Sequence, residues 1–195
     1  MTEELTAYHE AGHVLIAIYA GARVHSVTVD PDWDDGPERF GDAQISWPEG
    51  AFNQKSGLEK AVLVALAGPV AEMIHTGDPF HPALVSEWAG DWQQAWQAAA
   101  VLVPQREARM QYLEKQTISL YHLLREDSYW AAMGDLVDQL LAHETLEEEM
   151  IYEIISTGFN EKSSPEFNQP AFPVTTSEVH LTESDGVQFV LDPDP

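Results

Sequence analysis

His9-Glu10-Ala11-Gly12-His13 is the stretch of this 195-residue chain whose residue types and spacing could do chemistry. In an α-helix, positions i and i+4 lie one above the other on one face. His9 and His13 can therefore aim two imidazoles at a single metal ion, and by ligand type that ion is zinc. Glu10 is turned about 100° from His9 around the helix, within reach of a water on the open side of the metal. A carboxylate there can take the proton of a water whose pKa zinc lowers to about 7. Two ligands and a general base for hydrolysis thus fit into five residues.

The motif needs a helix, and its flanks supply one. Thr2 offers an N-cap, Glu3 and Glu4 place acids in the first turn, and Gly21 offers a stop. Leu5, Val14, Leu15 and Ile18 give the helix an apolar face. Ala11 and Gly12 are small enough for backbone or substrate to approach closely. Next, residues 23–29 alternate and are β-branched, which predicts a strand. Residues 30–39 read as a turn-rich acidic loop, and 40–47 predict a second strand. A helix-strand-strand opening of this kind can set a sheet edge beside the metal, where an extended peptide adds as a strand.

Further along, residues 56–76 predict a helix with Ser56 as cap, Gly77 as stop and a kink at Pro69. Residues 86–103 predict another helix, and 105–157 two or three more, with breaks near Glu126-Asp127 and His143-Glu144. The composition changes after Gly158. Residues 159–195 carry five prolines and seven acids against one Lys, which predicts a weakly ordered acidic tail or a short hairpin around Asp185-Gly186. The expected organisation is a mainly α domain over 1–158 followed by this tail.

Catalytic zinc usually has three protein ligands and one open position. The chain has no cysteine, so the third ligand must be His or a carboxylate. The downstream candidates are Glu72, His75, His81, Glu87 and Asp91. Glu72 lies in the almost wholly apolar run 66–73, where a buried charge must be paired or bound. It could ligate the metal, or hold a ligand histidine through its other ring nitrogen. Asp91 begins a helical turn after Gly90, a position that also suits an N-cap. Spacing does not choose between Glu72 and Asp91.

Composition excludes several function classes. A formal net charge of −24 argues against nucleic-acid binding and against docking to anionic lipid. No apolar run approaches the roughly 18–20 residues that span a bilayer. The absence of cysteine and of a signal-peptide pattern at the N-terminus predicts a cytoplasmic protein with no membrane insertion.

Several segments in order resemble the peptidase domain of the FtsH family, the membrane-anchored AAA+ zinc metalloproteases. Ala7-Tyr8-His9-Glu10-Ala11-Gly12-His13 matches that family's zinc helix, and Val24-His25-Ser26-Val27-Thr28-Val29 resembles the strand after it. Leu66-Ala67-Gly68 with Ala71-Glu72 is similar to its Leu-Ala-Gly-x-x-Ala-Glu helix. Gly90-Asp91-Trp92-Gln93-Gln94-Ala95 is similar to its Asn-Asp-Leu-x-x-Ala segment, and Leu140-Leu141 with Glu144-Thr145-Leu146 to its C-terminal motif. The resemblance implies a mainly helical fold with a small β element beside the zinc helix. It also implies zinc held by His9, His13 and Asp91, Glu10 as the base, and Glu72 as an acid supporting a ligand.

The departures are equally definite. These 195 residues hold no Walker A loop, Walker B acid or transmembrane helix. Pro69 stands where the family usually carries Arg, and Ala89-Gly90 replaces Ser-Asn. The expectation is a zinc metalloendopeptidase acting on peptides or unfolded segments without ATP. An ATPase partner in trans is compatible with this, but nothing in the sequence indicates one. Oligomeric state is open between a monomer and a small oligomer. The expectation from a different class is a catalytically silent peptide-binding or regulatory module that retains the fold. Retention of Glu10 counts against it, since structural zinc needs no base.

Overall fold

The computed structural model describes residues 2–30, 41–78 and 80–158. The first helix, α1, spans Glu3–Ala20. Thr2 is its N-cap, with the side-chain oxygen accepting from the Leu5 N–H. Gly21 ends it at φ +83°, with its N–H on the carbonyls of Ala17 and Ile18. That left-handed backbone is one glycine adopts without steric cost.

Two strands follow, β1 (Arg23–Thr28) and β2 (Asp42–Ser46). They pair antiparallel, and the register slips between Val24 and Ser26, which leaves His25 as an extra residue in β1. A third strand, β3 (Thr145–Glu147), pairs antiparallel with the other side of β1, giving the order β2-β1-β3. Val24, Val27 and Leu146 are buried against the helices. Sequence reasoning did not contain β3, because three residues are too short for an alternating pattern to register.

The central helix, α2, spans Lys55–Thr76 and stops at Gly77 with φ +76°. Its N-cap is Gln54, so Ser56 lies inside the helix and not at its cap. A 3-10 turn over Ala51–Asn53 feeds the chain into α2 and sets the earlier start. Residues 62–73 are buried without a break, the pattern of a helix packed on all sides. Pro69 is buried in that run and α2 continues as helix past it, although proline offers no N–H to the carbonyl four residues back.

A 3-10 turn at Ser86–Trp88 leads into α3 (Ala89–Leu102). The expected helix from residue 86 therefore divides in two. Asp91 lies in the first turn of α3, and the N-cap position belongs to Trp88. Helices α4 (Arg106–Leu124), α5 (Asp127–His143) and α6 (Glu148–Gly158) complete the described chain, with breaks where they were expected. The protein is thus mainly helical with one small antiparallel sheet. No described helix is long and apolar enough to cross a membrane. The acidic tail, 159–195, lies outside the described residues.

Helices α1 and α2 approach each other closely at small residues. A Cβ on Gly12 would lie 2.6 Å from the Ala67 carbonyl oxygen and 2.8 Å from the Ala71 Cβ. Backbone cannot yield as a flexible side chain does. Gly12→Ala is therefore expected to lower stability by about 1–3 kcal/mol through overpacking, despite alanine's better helix propensity. Denaturant unfolding of the two proteins checks this; an unchanged midpoint would show that the helices have room to part.

Candidate metal centre

Local geometry puts His9 and His13 on one face of α1, and both rings point at α2. His13 Nδ1 lies 2.7 Å from the Val64 carbonyl. A carbonyl only accepts, so Nδ1 carries a proton, and in the neutral ring Nε2 is then the nitrogen with the lone pair. His9 Nδ1 lies 2.5 Å from Glu72 Oε1, an acceptor that imposes the same tautomer. The two Nε2 atoms then face each other at 3.0 Å.

Asp91 of α3 closes the group. One of its oxygens is 3.1 Å from His9 Nε2 and the other 3.4 Å from His13 Nε2. Donors on a tetrahedral zinc with bonds of ~2.0–2.1 Å lie about 3.3 Å apart. The two Nε2 atoms, 3.0 Å apart, and the Asp91 oxygen 3.1 Å from His9 approach that figure, while the 3.4 Å approach to His13 is made by the second oxygen; two imidazoles, once deprotonated, and one carboxylate are a ligand set that zinc accepts. Among the described residues this is the cluster of His and acids able to hold a metal. Glu72 meets the opposite nitrogen of His9, away from the convergence point.

The other candidates are engaged elsewhere. His75 stacks on Tyr8, with ring centroids 3.9 Å apart. His81 caps a 3-10 turn, taking the Ala83 N–H on Nδ1. Glu87 lines the cleft but accepts from the Ser86 hydroxyl. A neighbouring donor must also stabilise the oxyanion, and the sequence leaves open whether His25, Tyr8 or another group does so. Neither His25 nor Tyr8 lines the cleft, whereas Ser86, Gln94 and Gln97 do. His25 Nε2 lies 2.7 Å from Ser46 Oγ, with Glu148 3.7 Å from its other nitrogen. That alignment is not a nucleophilic triad, since 3.7 Å exceeds a hydrogen bond and Arg23 already takes both oxygens of Glu148.

Close packing is what lets the rings converge. A Cβ on Gly68 would sit 2.4 Å from His13 Nε2 and 2.6 Å from His9 Nε2. Gly41, just before β2, lies over Glu10, where a Cβ would meet its Cγ and Oε1 at 2.7 Å. Glu10 is buried but borders a cleft of about 950 Å³ that it shares with the His–His–Asp group. One wall of this cleft is apolar, from Trp47, Phe52, Leu58 and Val64. The strand β2, an edge of the sheet among the described residues, contributes Asp42, Ala43 and Ile45.

Electrostatics in the group are strongly coupled. Burial opposes a charged His9, but hydrogen bonds to Asp91 and Glu72, with the nearby charges of Glu10 and Asp91, hold its pKa up at about 10. Burial likewise opposes a charged His13, and the charge and hydrogen bond of Asp91 overcome it, raising its pKa. Burial would lift Asp91, yet the field of His13 and hydrogen bonds from both rings hold its carboxyl well below the usual range. Burial pushes Glu10 upward; His9 and His13 pull it back, while Asp91 and Asp42 push it further. Without a metal both rings are thus driven to hold a second proton, on the Nε2 atoms that face Asp91; a bound metal ion would have to displace those protons.

Gly68, and Trp88 whose indole N–H donates to Glu72 Oε1 at 2.8 Å, are the residues of the site that the sequence does not single out. Gly68 carries a signal of its own: a glycine inside an apolar helix costs about 1 kcal/mol against alanine and so implies close packing. Trp88 carries none, because its partner is set only by how α3 lies against α2. No protein-family model matches this chain, and no curated protein matches it.

Proposed function

We propose that this chain is a zinc-dependent metalloendopeptidase with an FtsH-peptidase-like fold, hydrolysing peptide bonds in peptides or unfolded segments without ATP. The observation that carries the reading is the convergence of both Nε2 atoms and Asp91 beside a cleft that Glu10 also borders. His9, His13 and Asp91 would hold the ion, and Glu72 would orient His9 from its far nitrogen. The ordered segments of the FtsH resemblance support the fold, as does the small sheet beside the zinc helix.

Zinc, when bound, acidifies water and polarises the scissile carbonyl. The chain's residues do the rest. A peptide laid along the edge of β2 is held extended by main-chain hydrogen bonds, with a side chain against the apolar wall. Glu10 takes a proton from the attacking water and hands it to the leaving amine nitrogen.

The test is metal content with variant discrimination. One zinc per chain is expected in the purified protein, with casein or another unfolded substrate cleaved until a chelator removes the ion. Asp91→Ala should lose the zinc, whereas Glu72→Ala should keep it with an affinity roughly 10–100-fold weaker. Retention in Asp91→Ala with loss in Glu72→Ala would reassign the third ligand.

A further inference from the structure

We infer that Trp88 is a positioning residue of the metal centre, its indole N–H locking Glu72 in the orientation that aims His9 at the ion. This rests on the zinc reading above and adds a residue to it.

Three buried groups form one chain of contacts. Trp88 Nε1 donates to Glu72 Oε1 at 2.8 Å, and the same oxygen faces His9 Nδ1 at 2.5 Å. Trp88 and Glu72 are both only 4% exposed. A buried indole N–H needs an acceptor, and a buried carboxylate needs donors. Here each requirement meets the other. Two donors converging on one oxygen fix the carboxylate against rotation about its own side-chain bonds, and the carboxylate then fixes the plane of the His9 ring.

The placement is economical in chain. Trp88 ends the 3-10 turn Ser86–Trp88, and Asp91 follows three residues later in the first turn of α3. One short segment therefore reaches His9 from both ends. Asp91 approaches Nε2, and Trp88 acts on Nδ1 through Glu72. A shift of α3 would move the ligand and the support together. Partners of this kind, one step removed from a metal, orient its histidines and make them more basic, and their loss costs about 10–100-fold in affinity.

Trp88→Phe keeps an aromatic ring in the site and removes the donor. Zinc affinity, measured by chelator competition, is expected to fall about tenfold. The decisive comparison is the same substitution in a Glu72→Ala background, where it should cost nothing further, because an effect carried by Glu72 cannot be lost twice. Unchanged affinity in Trp88→Phe would overturn the role. So would an equal loss in both backgrounds, the mark of ordinary packing. If the phenylalanine variant does not fold, the benzothiophene analogue of tryptophan at position 88 keeps the bicyclic shape without the N–H and is read the same way. Failure of the unaltered protein to bind zinc would overturn the zinc reading itself, a result distinct from either.

Discussion

Replacing Glu10 by Gln is expected to leave zinc bound and to lower peptide hydrolysis by about 10²–10⁴-fold, the usual contribution of a positioned general base. The amide has the shape of the carboxylate but cannot carry away a proton. Glu10 has no part in the convergence of His9, His13 and Asp91, so metal content should match the unaltered protein. Stability should hold or rise, since the substitution removes a buried charge. The measurement is initial rates on an unfolded substrate at equal zinc occupancy, with thermal unfolding alongside. Equal cleavage by both proteins would remove Glu10 from the chemistry. Zinc bound with no cleavage by either would favour the silent peptide-binding module.

That prediction draws on the part of the site most legible in the sequence. His9, Glu10 and His13 are related by helix periodicity alone, and Thr2 and Gly21 mark the ends of α1 by local chemistry that needs no tertiary contact. Asp91 was less legible, because its approach depends on α3 folding back across α2. Spacing left it level with Glu72, and only the FtsH resemblance favoured it. The geometry separates the two by which nitrogen of His9 each one meets. Ser56 misled as a cap because the preceding 3-10 turn draws the start of α2 back to Lys55. Glu144, at φ +60° just before β3, breaks the chain where the sequence reading put a boundary, but the strand after it depends on β1 being present to receive it.

Gly68 lies at the far end of that scale, and its substitution tests the architecture rather than the chemistry. Gly68→Ala adds one methyl group, placed 2.4 Å from His13 Nε2 and 2.6 Å from His9 Nε2. Real Cβ contacts are not that short, so both rings must move. Neither moves freely: His13 would give up its bond to the Val64 carbonyl, and His9 its bond to Glu72. Alanine favours the helix by about 1 kcal/mol, whereas overpacking costs about 1–3 kcal/mol. The metal-free protein should therefore still fold with a modest loss of stability. Zinc binding is a different matter, because the methyl acts on two of the three proposed ligand atoms at once. A displacement of about 1 Å in either ring puts a donor well outside the tolerance of about 0.2 Å on zinc–ligand distances. The expected result is a folded protein that retains no zinc after dialysis and cleaves nothing. Stoichiometric zinc in Gly68→Ala would mean that the imidazoles do not converge over Gly68, and the proposed centre would have to be rebuilt elsewhere in the cleft.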